Sequence, residues 1–316
     1  MARLILLFGQ IGGRRTLTNS TKRETNSNQL RTAAPGTPRN SPAEAKSPSD
    51  LAEDDRHRSR YMRHLVQEVE IGDAQRLPAK LPRVLVQFWD KATAVPADVR
   101  ECLDSWRPLE ELGFAYLLFD EQKAGRFIAR YFGRRHSAAF DLCFHPAMQS
   151  DYFRLCFIAR NGGFYIDADD YYQGGDLEYL LHDKRLKLQP LCYDTSTGTM
   201  VQTRVFTRKG SDSPDWIFYV NNDPLIAPPS HPVIRLALAR STQLLLSHAG
   251  DRRDIQSTTG PGNLTASLVR HAVASVVAGG ARDFAFLPNW DAVSVSRWPL
   301  SYRSDERNWR LWRQSQ

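Results

Sequence analysis

A dense run of apolar residues spans positions 84–89, Val-Leu-Val-Gln-Phe-Trp, between Pro82 and the polar pair Asp90-Lys91. A short run of β-branched and aromatic residues bounded in this way predicts a buried strand. Further strands are predicted over 114–119, ending at Asp120, and over 164–166. Between them the apolar spacing becomes helical, at 99–106, 121–132 and 147–160. Strands alternating with helices predict an α/β domain with a largely parallel sheet, whose ligands bind at the carboxyl ends of the strands. Trp89-Asp90, Asp120 and Asp167 to Asp169 all stand at such ends. Beyond Asp176 the pattern changes. Residues 186–193, 199–207 and 216–227 read as antiparallel strands, and 232–246 as a long helix with Pro232 at its first turn. No internal repeat is found.

Upstream of this pattern, about Gly12 to Asp55 is rich in Ser, Thr, Asn, Pro and charge. Too few large apolar residues occur there to offset the entropy of ordering, so disorder is expected. Residues 58–69 predict a short helix with Tyr61, Leu65 and Val69 on one face. The chain therefore divides into a disordered or weakly helical basic leader, 1–80, and a folded domain, 81–316.

The net charge of +7 suits an anionic partner: nucleic acid, a membrane surface, a sugar nucleotide or an acidic acceptor. Much of the charge lies in the leader, and no RNA-binding signature or helix-turn-helix pattern occurs, so no nucleic-acid partner is expected. Four cysteines, Cys102, Cys143, Cys156 and Cys192, form no CxxC pair; Cys143 and Cys156 lie in apolar helical patterns and read as small core residues, so a reducing compartment is expected over a disulfide framework. The apolar run from Met1 to Phe8 is too short for a signal-peptide core or a membrane span, and no transmembrane segment follows. A cytoplasmic protein, free or held at a membrane by a partner, is expected. The alternative is export by a specialised secretion system, with the leader as its signal.

The chemistry concentrates at Asn161-Gly-Gly-Phe-Tyr-Ile-Asp-Ala-Asp-Asp170. Side chains alternate along an extended strand, so Asp167 and Asp169 point the same way. Two carboxylates on one side of a strand end suit a hard divalent cation, and such a cation can grip a diphosphate. In the preceding helix Asp151 and Arg154, three apart, share a face. Plainer readings stay open beside these: a solvated turn for the carboxylates, a surface ion pair for Asp151 and Arg154, a core position for Trp89, and simple turns or loops for Asn221 to Asp223 and Thr259 to Pro261.

Five segments, in order, carry a resemblance. They are Leu81-Pro-Arg-Val-Leu-Val-Gln-Phe-Trp89, Ser150-Asp-Tyr-Phe-Arg154, Gly162-Gly-Phe-Tyr-Ile-Asp-Ala-Asp169, Asn221-Asn-Asp-Pro-Leu-Ile-Ala-Pro-Pro-Ser-His-Pro232 and Thr259-Gly-Pro-Gly262. In these the chain resembles the DxD sugar-transferase family that holds the fungal outer-chain mannosyltransferases and the bacterial capsular-type glycosyltransferases, with the clostridial glucosylating toxins more distant. The resemblance implies a GT-A fold: a Rossmann-like nucleotide-sugar-binding domain with a mainly parallel central sheet and a C-terminal mixed, acceptor-side region. It also implies a metal-dependent, retaining hexosyltransferase. The donor would be a UDP- or GDP-hexose, the cation Mn2+ or Mg2+, and the acceptor a glycan, a lipid-linked glycan or a protein.

By the same resemblance Asp169 ligates the metal and Asp167 meets the ribose, or the metal through water. Asp151 and Arg154 hold the donor sugar and its phosphate side, and Trp89 stacks on the base. Relatives commonly end with a His near a Ser-Trp pair. Here the end reads Tyr302-Arg-Ser-Asp-Glu-Arg-Asn-Trp309, with no His. Substitution by Asp305 or Asn308, an extra metal-bound water, and a transferase-like binding module without turnover are the readings this departure leaves.

Overall fold

The computed structural model describes residues 48–68, 81–247, 254–305, 307, 308 and 310. Most of the expected disordered leader, together with Val69 and Trp309, lies outside the described residues. Helix α1 (Pro48–Gln67) comes first. Then β1 (Val84–Phe88), α2 (Ala97–Ser105), β2 (Ala115–Phe119), α3 (Glu121–Phe132), α4 (Arg134–Asp141), α5 (Pro146–Asn161) and β3 (Gly163–Tyr165) follow. Next are β4 (Asp170–Tyr172), α6 (Glu178–Leu181), β5 (Leu186–Asp194), β6 (Thr199–Met200), α7 (Thr203–Phe206) and β7 (Trp216–Ala227). The chain continues through α8 (Pro232–Ser247), α9 (Ile255–Thr258), α10 (Pro261–Val277), β8 (Phe284–Phe286) and β9 (Ser294–Ser296).

The central sheet runs β2-β1-β3-β7-β5-β6, with β8 also on β5. Strands β2, β1 and β3 are parallel, as the alternating pattern predicts. The expectation of a largely parallel sheet is corrected beyond that point. Strand β7 pairs antiparallel with both β3 and β5, and β8 returns parallel to β5. A parallel strand needs a crossover covering the sheet, whereas β5 and β7 are joined by a connection that returns on itself. The fold is a mixed α/β one.

Each strand feeds two layers. Val86 and Tyr165 face a core built on α5, with Phe153 and Phe157. Their neighbours Leu85 and Phe164 face the other side, against Trp106 and Ile226. Burying each such side chain contributes about 1.5–3 kcal/mol. All four cysteines are free and buried.

Two local expectations change. Only Thr199–Met200 of the strand expected at 199–207 pairs as a strand, because the chain then enters α7, where Phe206 turns inward against Phe218 and its carbonyl accepts from Gln67 Nε2 at 2.9 Å. Helix α1 begins at Pro48, ahead of the expected start at 58. Its Met62 and Leu65 enter the core, and Ser59 Oγ accepts the Phe218 N–H at 2.9 Å.

The turn from α5 into β3 depends on two glycines. Gly162 and Gly163 have φ of +68° and +99°. A Cβ on Gly163 would lie 2.6 Å from the Val84 carbonyl oxygen, and one on Gly162 would lie 2.7 Å from Pro229. These close approaches let β3 seat beside β1 and fix where the carboxylates emerge. Gly163→Ala is expected to lower stability by about 2–5 kcal/mol through left-handed strain plus overlap. Gly133→Ala, at a φ of +75° with nothing within 4 Å, should cost about 1–2 kcal/mol. Urea-unfolding midpoints of the two variants check the difference.

Candidate functional site

Helix α5 starts with Pro146 in its first turn, and His145 Nδ1 accepts the Ala147 N–H at 3.0 Å. Five and eight residues after Pro146, Asp151 and Arg154 are only 6% and 3% exposed, so they are not a surface pair. Arg154 Nη2 lies 3.0 Å from Asp151 Oδ1, donates to Ser150 Oγ at 3.0 Å, and donates to Asp167 Oδ1 at 2.8 Å. Its Nη1 donates to the Asn222 carbonyl at 2.8 Å, and its guanidinium lies 4.3 Å from the Tyr165 ring centroid. Burial disfavours the Arg154 charge, but Asp167, Tyr165 and Asp151 more than offset it and raise its pKa.

Asp151 is engaged inward. Asn222 Nδ2 donates to Oδ1 at 2.7 Å, and Thr259 Oγ1 donates to Oδ2 at 3.3 Å. A Cβ on Gly260 would come within 3.2 Å of the same Oδ2. Burial pushes the Asp151 carboxyl up to about 6 in spite of Arg154. Asn221, Asn222 and Asp223 lie within β7, so the turn reading is corrected.

After Tyr165 the chain stays extended and then turns, with the Asp170 N–H donating to the Asp167 carbonyl at 3.2 Å. Asp167 and Asp169 reach the cleft, while Ala168 and Asp170 are buried. The Asp167 N–H donates to Asp223 Oδ1 at 2.9 Å. The Asp167 carbonyl accepts from Gln87 Nε2 at 3.0 Å, and Gln87 is held by the Tyr116 hydroxyl at 2.8 Å. Burial and Asp169 push the Asp167 carboxyl up against the pull of Arg154. Asp169 Oδ2 accepts from the Tyr302 hydroxyl at 2.8 Å and pairs with Arg303.

Behind the turn, buried Asp170 and Asp223 hydrogen-bond to each other, and Ser294 Oγ donates to Asp170 Oδ2 at 3.0 Å. Burial, then Asp169, pushes Asp170 up to about 7. Burial, then Asp170, holds Asp223 well above the carboxylate range. Of these five carboxyls, Asp151 and Asp167 meet Arg154 and Asp169 meets Arg303, while Asp170 and Asp223 meet each other. Among the described residues no three His, Cys, Asp or Glu side chains form a ready-made metal cage. Asp167 and Asp169, the least buried of these carboxylates, match the smaller share a protein supplies when phosphates and water complete the shell.

The cleft has a volume of about 650 Å³. Four buried donor nitrogens on residues that line it lack an acceptor among the described residues: Trp89 Nε1, Trp290 Nε1, Arg154 Nε and Arg303 Nε. Trp89 is 7% exposed and packs with Val99 and Leu103, so the core reading holds for part of its ring. Tyr302 meets it edge-on at 5.2 Å, and the Arg307 guanidinium stands 5.7 Å from its ring centroid.

Tyr302, Arg303, Arg307 and Trp290 were not singled out as site residues from the sequence. Their contacts span more than a hundred positions and leave no local signal. Of the two candidates for the missing His, Asp305 pairs with Arg307 and is not among the lining residues. Asn308 lines the cleft and donates to the Arg303 carbonyl at 2.6 Å.

No family model matches the sequence, and no curated protein matches it. Six chains of solved structure match. One is titled "PaToxG Glycosyltransferase", with a TM-score of 0.44 and 12% identity over 71% of this chain and 79% of that one. This is a distant structural similarity to a glycosyltransferase. Agreement at that level leaves the chemistry to be read from the cleft itself. No described helix is long and apolar enough to cross a membrane.

A pH dependence follows from Asp170. Its folded pKa of about 7 lies above the ordinary 3.8, so the folded state binds the extra proton. The stability from this group is fully present below about pH 4 and is lost as pH rises through about 7. In chelator, Asp170→Asn should flatten the fall in melting temperature between those limits, as scanning calorimetry at stepped pH would show.

Proposed function

We propose that this chain is a metal-dependent glycosyltransferase that moves a hexose from a nucleoside diphosphate to a hydroxyl acceptor. One observation carries the reading: a single cleft holds surplus carboxylates and, beside them, buried donors without acceptors. A diphosphate with a divalent cation satisfies both, the cation meeting the carboxylates and the oxygens meeting the donors. The two open carboxylates at the end of β3 and the residues resembling the DxD transferases support it. The GT-A assignment draws on that resemblance and on the three parallel strands that present the site.

Asp169 and Asp167 would hold Mn2+ or Mg2+, which when bound supplies positive charge to the departing diphosphate. Arg154 fixes Asp167 and adds a second positive charge beside the phosphates. Arg303, now paired with Asp169, is placed to turn to a phosphate oxygen once a cation takes that carboxylate. Trp89 offers an indole face to the base, worth about 1–3 kcal/mol. In the transfer the acceptor oxygen bonds to the anomeric carbon as the bond to diphosphate breaks. The electron pair goes to the phosphate oxygen, and the acceptor proton follows it.

Retention, which the resemblance implies, then proceeds on one face of the sugar. Asp151 is engaged by Asn222 and Thr259, and Asp170 by Asp223, which leaves neither open as a covalent nucleophile. A second reading, a nucleotide-binding module without turnover, is favoured by one observation: Tyr302 and Arg303 already occupy Asp169.

The test is release of nucleoside diphosphate from a panel of UDP- and GDP-hexoses with manganese. Asp169→Asn should lower kcat/KM by about 10²-fold or more. Trp89→Ala should raise KM by about 5- to 150-fold, the equivalent of lost stacking. Calorimetric binding of UDP or GDP with manganese but no release, even with acceptors supplied, would favour the second reading. Absence of both would overturn the first.

A further inference from the structure

A second cavity, of about 580 Å³, lies between α1, the start of β7 and the start of α10. It shares Tyr219, Gln256 and Pro261 with the catalytic cleft, so the two spaces adjoin along one wall. Its floor is apolar, with Trp216, Ile217 and Tyr219 half-buried. One side is basic: Arg56, Arg60 and Arg63 recur along α1 at spacings of four and three, which places them on one helix face.

The charges there are unevenly satisfied. Arg58 pairs with Asp55 and Arg63 with Asp212, which engages both acids of the groove. Arg56 and Arg60 are exposed and have no partner among the described residues. The backbone is closed as well. The N–H groups of Phe218 and Val220 donate to Ser59 Oγ at 2.9 Å and Thr265 Oγ1 at 3.1 Å. An occupant therefore cannot add as a strand at these positions and must be read through its side chains.

We propose that this groove is the acceptor site and that it takes an acidic polypeptide segment with an apolar anchor residue. The proposal rests on the transferase reading for the identity of the neighbouring cleft. Glycan hydroxyls need acceptors as well as donors, and here both carboxylates are engaged. Acidic side chains need donors alone, and two guanidiniums stand ready. Trp, Tyr and Arg around an apolar depression are also the residues that anchor protein partners. The anchor would sit on Trp216 and Ile217, and the chain beyond it would run past Tyr219 toward the donor.

The probe is a fluorescent random copolymer of Glu and Tyr, titrated with the full chain by anisotropy at low and moderate salt. Polyglutamate and hyaluronate serve as the anchor-free and glycan comparisons. Wild type should bind the copolymer more tightly than either comparison, and less tightly as salt rises. Arg56→Glu with Arg60→Glu should weaken it about tenfold or more, with an unchanged melting temperature showing that the fold is kept. Trp216→Ala should bring copolymer affinity down to that of polyglutamate. Equal binding by the charge-reversed protein would overturn the proposal, and so would hyaluronate binding as tightly as the copolymer, the mark of a glycan groove. UDP binding with manganese is measured in parallel. Its absence, with copolymer binding intact, would sink the donor reading and leave the groove standing.

Discussion

The guanidinium of Arg154 ties α5 to the end of β3 and to β7 at one buried point. It meets Asp151 on its own helix, Asp167 beyond β3 and the Asn222 carbonyl on β7. A buried charge of this kind is costly to leave alone and stable only when its hydrogen bonds are made. The rest of the site follows from meeting that demand. Asn222 must present both its carbonyl to Arg154 and its amide to Asp151, which fixes the register of β7 beside β3. Asp223 is then carried to the Asp167 N–H and to Asp170.

This arrangement places the junction between the parallel and antiparallel halves of the sheet at the site. Strand β3 faces parallel β1 on one side and antiparallel β7 on the other. The carboxyl end of β3 and residues in the middle of β7 are therefore neighbours. A wholly parallel sheet would instead offer the end of another strand at this place, with different side chains and a different backbone direction.

Strands β1 to β3 and helices α3 and α5 were legible because their apolar spacing is local and strong. Asp167 and Asp169 do share the cleft, but through a turn across 167–170 and not through the strand alternation that the sequence suggests. The antiparallel join was not, because a run such as 216–227 has the same pattern whichever neighbour it meets. Burial of Asp151 and Arg154 was also hidden: an acid and a base three apart read equally well as an exposed pair. Helix α10 carries small and polar residues among its apolar ones, and Asn263, Thr265 and Ser267 are nonetheless buried, so its pattern gave little contrast. Tyr302 and Arg303 had no local signature at all.

Those last two residues have a consequence for how the protein is made. Arg303 meets Asp169 across 134 positions of chain. At a ribosomal pace of about 5–20 residues per second, on the order of ten seconds separates the synthesis of the two. Throughout that interval the nascent chain carries Asp167, Asp169 and Asp170 without their late partner. Until then Asp169 lacks both the hydroxyl of Tyr302 and the guanidinium of Arg303 that engage it in the folded chain, so this corner of the site closes last.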